Sequence, residues 1–225
     1  MNTKETVLIL IDLQKESNFG LQHLDDVLSK TKDVIQACRD ADIPIIYTRQ
    51  INRLDGVGLS KGEPITPDGT PFYYSTSNEN HEILDEIAPN AEDIVVDKYR
   101  WSAFHETSLD LILRSLGAKN LIIGGVVTDG CVMTTVFDAY FKDYNVHLIK
   151  DMCATSNEGA HMASLMIMAN WVYNLEIYNA NHFIHRLNGQ SYSHWTFKEA
   201  DALQFTPENM RKVYENLDPK ENKQK

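Results

Sequence analysis

The feature that most constrains the fold is a change of pattern between residues 120 and 139. Residues 121–125 read Leu-Ile-Ile-Gly-Gly, a short apolar run that ends in two glycines and is typical of a fully buried parallel strand. Apolar residues then recur at helical spacing over 132–139. The chain is therefore predicted to turn sharply from a strand into a helix, with Thr128 and Asp129 as candidates to cap that helix.

Cys131 stands in the first turn of this predicted helix. Free backbone N–H groups and the helix dipole favour negative charge there, so the position is expected to stabilise a thiolate, the nucleophilic form of cysteine. The same N–H groups are suited to hold an oxyanion. The alternative is that Cys131 is a small buried hydrophobe, which is a common role of free cysteine.

Composition and length narrow the class of protein. A chain of 225 residues suits one α/β domain, and its formal net charge of −11 argues against nucleic acid and anionic membranes as partners. Cys38, Cys131 and Cys153 are too few and too widely spaced for a disulfide framework or a zinc knuckle. With no signal-peptide pattern and no run long enough to cross a bilayer, a soluble cytoplasmic protein is expected.

Short apolar runs recur along the chain and alternate with helical patterns. This alternation predicts an α/β fold in three layers, α/β/α, with a central, mostly parallel sheet of about six strands. Beyond residue 180 the pattern becomes polar and irregular apart from a helical pattern at 207–217. Residues 1–180 are therefore predicted to form the domain, and 181–225 a C-terminal extension that packs on it or on a partner subunit, with a frayed end from 218 onward. The predicted strands lie at 7–11, 45–48, 94–96, 121–125, 146–149 and 175–178.

Three predicted strands end next to side chains that could take part in catalysis, namely Asp12, Lys98 and Cys131. Ligands of open α/β sheets bind at the carboxyl ends of strands, so an acid, a cation and a thiol meet if these strands are neighbours. The lysine would lower the pKa of the thiol, and the carboxylate would take its proton and later deliver it to a leaving amine. Each residue alone has a commoner role, such as turn capping for Asp12 or a solvated surface side chain for Lys98.

The segment 49–80 has little periodicity and is rich in glycine, proline and aromatic residues. A loop of this length in a compact domain is usually functional or disordered, and its aromatic residues favour a packed lid. Aromatic side chains here and near the strand ends are predicted to form the apolar wall of a substrate site, although Phe104 is equally suited to the core. The predicted substrate-binding residues are Gln14, Phe19, Tyr73, Trp101, Phe104 and Thr128.

Three motifs together resemble the isochorismatase-like cysteine hydrolases, over roughly residues 5–180. They are Ile-Asp-Leu-Gln at 11–14, Asp-Lys-Tyr-Arg-Trp-Ser-Ala-Phe at 97–104, and Gly-Val-Val-Thr-Asp-Gly-Cys-Val at 125–132. Each motif alone is weak, but the combination is specific. The 181–225 extension has no counterpart in the minimal family pattern.

The resemblance implies a catalytic triad of Asp12, Lys98 and Cys131. It also implies a cis peptide bond between Val126 and Val127, and an oxyanion hole formed by the N–H groups of Val127 and Cys131. Hydrolysis of a C–N amide bond and assembly into a homodimer or homotetramer follow from the same resemblance.

Subfamily features narrow the expected chemistry. Nicotinamidases carry an Asp/His metal motif after the second strand; residues 47–52 lack it, so we expect no metal and no other cofactor and doubt nicotinamide as the substrate. Cys131 argues against true isochorismatases, which replace the cysteine and cleave a vinyl ether. Residues 98–104 and Gly-Glu-Pro at 62–64 look closer to N-carbamoylsarcosine amidases, ureidoacrylate and biuret amidohydrolases, and streptothricin-type lactam hydrolases.

The predicted function is cysteine-dependent hydrolysis of a small carboxamide, ureido or lactam compound through a thioester. Two alternatives stay open on the same fold: a catalytically idle protein that binds a metabolite, and an isochorismatase- or nicotinamidase-type member. A redox protein that uses Cys131 and Cys153 ranks last, because neither belongs to a Cys-x-x-Cys pair.

Overall fold

The computed structural model of the protein describes residues 1–218. One seven-stranded sheet crosses the molecule in the order β3-β2-β1-β4-β5-β6-β7. The first six strands pair in parallel, and β7 is antiparallel to β6. The strands are β1 (Thr6–Ile11), β2 (Ile45–Gln50), β3 (Ile94–Lys98), β4 (Asn120–Val126), β5 (Asn145–Ala154), β6 (Leu175–Tyr178) and β7 (Trp195–Thr196).

Helices cover both faces of the sheet, because the central strands are apolar on both sides and must be shielded from water twice. One core contains buried residues of α1 and α5, and the other contains buried residues of α2, α3 and α4. This confirms the predicted three-layer fold with a mostly parallel sheet. The helices are α1 (Leu24–Asp40), α2 (Leu109–Ser115), α3 (Met133–Phe141), α4 (Glu158–Trp171), α5 (Ala180–Leu187) and α6 (Met210–Tyr214).

The sheet has seven strands, in agreement with the predicted sheet of about six; the additional strand, β7, is only two residues long and too short to show periodicity. Two local predictions were wrong. The stretch after residue 180, interpreted as irregular, begins with the helix α5, whose buried residues include Ala180 and Phe183. Thr128 and Asp129 also do not cap a helix: they open a π-helical turn, Thr128–Val132, that has no side-chain cap and leads directly into α3.

Residues 180–218 pack on their own chain. Helix α5 contacts α1, β7 extends the sheet, and α6 contacts α4. Asp218 Oδ1 lies 2.5 Å from Lys150 Nζ, so the described part of the predicted frayed end is paired; 219–225 lie outside the described residues. No helix in residues 1–218 is long and apolar enough to cross a membrane.

Gly125 sets how closely β4 approaches β1 near the carboxyl ends of both strands. It pairs with Ile11 and has a φ of +132°, a conformation that L side chains rarely adopt. A Cβ at this position would lie 2.1 Å from the Ile11 carbonyl oxygen. The glycine therefore lets the residue after β1, Asp12, sit beside the turn that follows β4.

Candidate active site

Asp12, Lys98 and Cys131 meet at the carboxyl edge of the sheet, as their strand-end positions predicted. Lys98 Nζ lies 2.6 Å from Asp12 Oδ2 and 3.5 Å from Cys131 Sγ. The side chains of Lys98 and Asp12 are fully buried, and Cys131 is also buried. The three strands are not all neighbours, however: β2 separates β3 from β1, so the long lysine side chain bridges the gap.

Two oxygen atoms besides the Asp12 carboxylate hold the Lys98 ammonium. It donates to Gln50 Oε1 at 3.0 Å and to the Arg100 carbonyl oxygen at 3.0 Å. Gln50 ends β2 and pairs in register with Lys98. The carbonyl and amide oxygens reduce the cost of burying the charge, because buried ions need hydrogen-bond partners as well as a counter-ion.

The two oxygens of the Asp12 carboxylate have different surroundings. Thr48 Oγ1 donates to Asp12 Oδ1 at 2.6 Å, and the Asp12 backbone N–H donates to Thr48 Oγ1 at 3.2 Å. Asp12 has a φ of +50°, a left-handed conformation that Asp tolerates better than most residues. Oδ2 has no well-aligned hydrogen-bond donor among the described residues, although Lys98 Nζ is close to it. The carboxylate also hydrogen-bonds the Cys131 thiol, so it is placed to accept a proton from the sulfur.

The expectation of a low thiol pKa at Cys131 was wrong. Burial raises the pKa of Cys131 to about 12, and the charge of Asp12 and its hydrogen bond with the thiol act in the same direction. The Lys98 cation opposes this shift without overcoming it. Burial also disfavours the charge on Lys98, but Asp12 and Cys131 outweigh it and raise the pKa of Lys98. The resting site is therefore a neutral thiol beside an ion pair.

A cavity of about 470 Å³ opens above Cys131. The predicted wall residues Phe19, Tyr73 and Trp101 line it. The rings of Phe19 and Tyr73 stack with their centroids 4.5 Å apart, while Trp101 is 67 % exposed at the mouth. Asp12 and Lys98 are not part of the lining and lie beneath it, so a ligand meets the sulfur before it meets the ion pair.

Three predicted substrate-binding residues lie outside the cavity lining. The buried Gln14 side chain donates to the Gln50 carbonyl at 2.9 Å and accepts from the Gln50 N–H at 3.0 Å, so it fixes the end of β2. Phe104 is a core residue whose ring stacks on Tyr144 with centroids 5.9 Å apart. Thr128 is fully buried, and its hydroxyl contacts a histidine of α4.

Sequence reasoning missed several lining residues. Gln50 was detectable, because it ends a strand as Asp12 and Lys98 do, but the predicted strand stopped at Thr48. The others come from the loop 49–80 or the turn after β4, where no periodicity marks which side chains face inward. The missed lining residues include Gln50, Lys61, Glu63, Tyr74 and Asp129.

Glu16 ties the segment after β1 to the long loop. Its buried carboxylate accepts from the Tyr74 backbone N–H at 3.0 Å and from the Asn18 N–H at 2.9 Å. These bonds join the parts of the chain that carry Phe19 and Tyr73. The segment 49–80 is thus held over the site, as expected for a packed lid.

The Val126–Val127 peptide bond is cis, at the position that the resemblance implied. Val127, Gly130 and Cys131 all line the cavity, so the backbone of the turn faces any bound ligand. In residues 1–218, no group of three or more His, Cys, Asp or Glu side chains is arranged to hold a metal ion. The expectation that the protein needs no metal stays a prediction.

The fold and the site are together those of a class of hydrolases, and comparison with known proteins identifies the family to which the chain belongs. Residues 6–177 match the Isochorismatase domain family, and the chain belongs to that family. It is 33% identical to nicotinamidase 3 of Arabidopsis thaliana over 175 residues. The aligned region covers 75% of this chain and 82% of that protein. It is 29% identical to a ureidoacrylate amidohydrolase of Acinetobacter baylyi, over 75% of this chain and 80% of the relative.

Two further comparisons define the range of the family. A cysteine hydrolase from Pseudomonas syringae has a similar structure, with a TM-score of 0.75 and 26% identity over 84% of this chain and 95% of that one. The chain is also 28% identical to enterobactin synthase component B of Escherichia coli over 65% of its length, but spans only 50% of that protein. The relatives therefore support a hydrolase of this family without agreeing on one substrate.

Proposed function

We propose that this protein is a cysteine-dependent amidohydrolase that cleaves the C–N bond of a small carboxamide, ureido or lactam compound through a thioester. The observation that carries the proposal is the convergence of a thiol, a carboxylate and a lysine cation at the floor of one cavity. In this proposal Cys131 is the nucleophile, Asp12 is the general acid and base, and Lys98 stabilises the charges that develop.

In the first step, the thiol proton is transferred while the sulfur attacks the substrate carbonyl. Since burial raises the pKa of Cys131 to about 12, little thiolate exists at neutral pH, and Asp12 must take the proton as the sulfur attacks the carbonyl carbon. Asp12 is suited to this because its carboxylate hydrogen-bonds the thiol. Lys98 contacts both groups and therefore stays next to the negative charge as it leaves the carboxylate and the S–H bond breaks.

The same attack places the negative charge on the substrate oxygen. The backbone N–H groups of Val127 and Cys131 are proposed as the oxyanion hole, because both residues line the cavity beside the sulfur. Removing one such donor typically costs about 10²–10³ in rate. Asp12 then gives its proton to the departing nitrogen, the C–N bond breaks, and ammonia or an amine leaves.

The thioester is then hydrolysed. A water molecule loses a proton to Asp12 and adds its oxygen to the acyl carbon, and the sulfur leaves and regains the proton from Asp12. The net reaction adds one water across the C–N bond and restores the neutral thiol. It requires neither a metal nor an organic cofactor in this scheme.

The size of the cavity and the relatives limit the substrate. A volume of about 470 Å³ is in the usual range of small-molecule sites. Relatives that are named as a nicotinamidase and a ureidoacrylate amidohydrolase support an amide or ureido group. Nicotinamide, which the sequence motif disfavours, therefore belongs in the substrate panel. A homodimer or homotetramer stays a prediction.

The test is release of ammonia by the wild type, Cys131→Ala and the matched control Cys153→Ala. The panel contains biuret, N-carbamoyl amino acids, ureidoacrylate, nicotinamide and a streptothricin-like lactam scored by its mass change. We expect one compound to be hydrolysed by the wild type and by Cys153→Ala, and not by Cys131→Ala. Turnover that survives in Cys131→Ala would rule the scheme out.

One observation favours a second function, a metabolite-binding protein that does no chemistry. Burial that raises the pKa of Cys131 to about 12 is also what an unreactive structural cysteine shows. Calorimetric titration with the same panel separates the two functions. A compound that binds with Asp12, Lys98 and Cys131 intact and is not turned over supports the binding protein.

A further inference from the structure

A partly buried histidine connects the C-terminal extension to the turn that carries Cys131. His161 of α4 lies with Nδ1 at 2.9 Å from Thr128 Oγ1 and with Nε2 at 3.3 Å from the Tyr214 hydroxyl. Thr128 is the first residue of the π-helical turn, and Cys131 is the fourth. Tyr214 ends α6 and lies beyond residue 177, where the match to the family ends.

The imidazole is suited to link two hydroxyl groups. Burial, together with the nearby Lys150 cation, lowers the pKa of His161 to about 4. A neutral ring has one donor and one acceptor nitrogen, while each hydroxyl can donate and accept. The chain Thr128–His161–Tyr214 can therefore be fully hydrogen-bonded without placing a charge behind the nucleophile.

Several contacts hold the far end of this chain in place. Lys150 Nζ lies 4.9 Å above the centre of the Tyr214 ring and 2.5 Å from Asp218 Oδ1. Arg211 of α6 pairs with Glu158 at the start of α4, with 2.7 Å between Nη2 and Oε2. Leu217, the last apolar residue of the described extension, is fully buried against the core.

We propose that His161 is a positioning residue of the active site, through which Tyr214 of the C-terminal extension holds the Thr128–Val132 turn and so aims Cys131 at the substrate. The inference rests on the proposed function of Cys131 as nucleophile. His161 acts only through Thr128, because it does not line the cavity. Since a displacement of about 1 Å at a reacting group can cost 10²-fold in rate, a modest loosening of this turn is enough to slow catalysis.

The first test separates kcat from KM on the compound that the panel identifies. His161→Leu removes both hydrogen bonds and is expected to lower kcat about 10-fold with KM within about twofold. His161→Asn keeps a polar group near the Nδ1 position and is expected to recover most of the loss, and Tyr214→Phe to lower kcat about threefold. Recovery by Asn is the result that simple loss of packing would not produce.

The second test needs no substrate. Iodoacetamide labelling, followed peptide by peptide with mass spectrometry, reports Cys131 on the turn and Cys38 in the other core as the reporter of global unfolding. In His161→Leu and Tyr214→Phe we expect Cys131 to react several-fold faster at a pH of about 8, because a looser turn reduces the burial that raises its pKa. Cys38 should stay at its wild-type rate.

The labelling result decides the proposal. Cys131 labelling that is unchanged or slower in both variants overturns it, as does acceleration of Cys38 in parallel with Cys131, which shows general destabilisation. If no compound of the panel is hydrolysed, the proposed function fails, while faster labelling of Cys131 alone still supports the positioning role.

Discussion

The Lys98 ammonium lies 2.6 Å from the Asp12 carboxylate even though a whole strand, β2, separates the strands that carry them. Both side chains are fully buried. Lys98 spans β2 at the level of Gln50, whose side chain accepts one of its hydrogen bonds. The ion pair thus joins three adjacent strand ends, β3, β2 and β1, at the edge where the thiol lies.

Replacement of Lys98 should destabilise the protein, because it leaves the buried Asp12 carboxylate without its counter-ion. We expect Lys98→Met to lower the free energy of unfolding by about 3–5 kcal/mol, the usual cost of breaking a buried ion pair from one side. Adding Asp12→Asn should recover much of that loss, because the double variant buries no unpaired carboxylate. Urea unfolding of the two single variants and the double variant measures the coupling; additive losses would contradict the prediction.

Asp12→Asn should change thiol reactivity and turnover in opposite directions. The carboxylate raises the pKa of Cys131, so its removal lowers that pKa and speeds alkylation of Cys131 at a pH of about 8. The same variant loses the general base and should lower kcat by about 10²–10⁴. Labelling of Cys38 is the control, and an alkylation rate of Cys131 that stays constant would show that Asp12 does not act on the thiol.

Trp101 and Phe104 are three residues apart, but truncating them should affect different properties: stability for Phe104 and substrate binding for Trp101. Phe104 is buried against Tyr144, so Phe104→Ala is expected to cost about 3–5 kcal/mol of stability. Trp101 is mostly exposed at the cavity mouth, so Trp101→Ala should change stability by less than about 1 kcal/mol and raise KM. Thermal unfolding and steady-state kinetics distinguish them, and a large stability loss in Trp101→Ala would place that ring in the core instead.

Cys38 should make stability fall at alkaline pH. Burial raises the pKa of Cys38 from its ordinary value of about 9 to about 12. Between these values the unfolded chain has lost the proton that the folded protein keeps, so the free energy of unfolding decreases as pH rises. The loss between about pH 8 and pH 10 is about 1.4 kcal/mol for this residue. Cys38→Ala should lack that part of the decrease in urea titrations; an identical slope in both proteins would contradict the assignment.

The sheet and the triad could be predicted because they depend on local signals. Apolar runs flanked by helical patterns define buried parallel strands. Ligands of open α/β sheets bind at the carboxyl ends of such strands, and this rule predicted that Asp12, Lys98 and Cys131 lie together. The short β7 and the helix α5 were missed. A two-residue strand has no period, and α5 follows β6 in a stretch whose polar residues obscure its apolar face.

The sequence by itself determined the fold class, the family and the three residues that meet at the sheet edge, because each of these follows from periodicity or from motifs of consecutive residues. Only the tertiary structure decided the protonation state of Cys131, which depends on how completely the surrounding chain excludes water. It likewise decided that Gln14, Phe104 and Thr128 lie outside the cavity lining, and that His161 joins the turn that carries Cys131 to Tyr214. Contacts between residues far apart in the chain leave no periodic signal, so packing alone selects them.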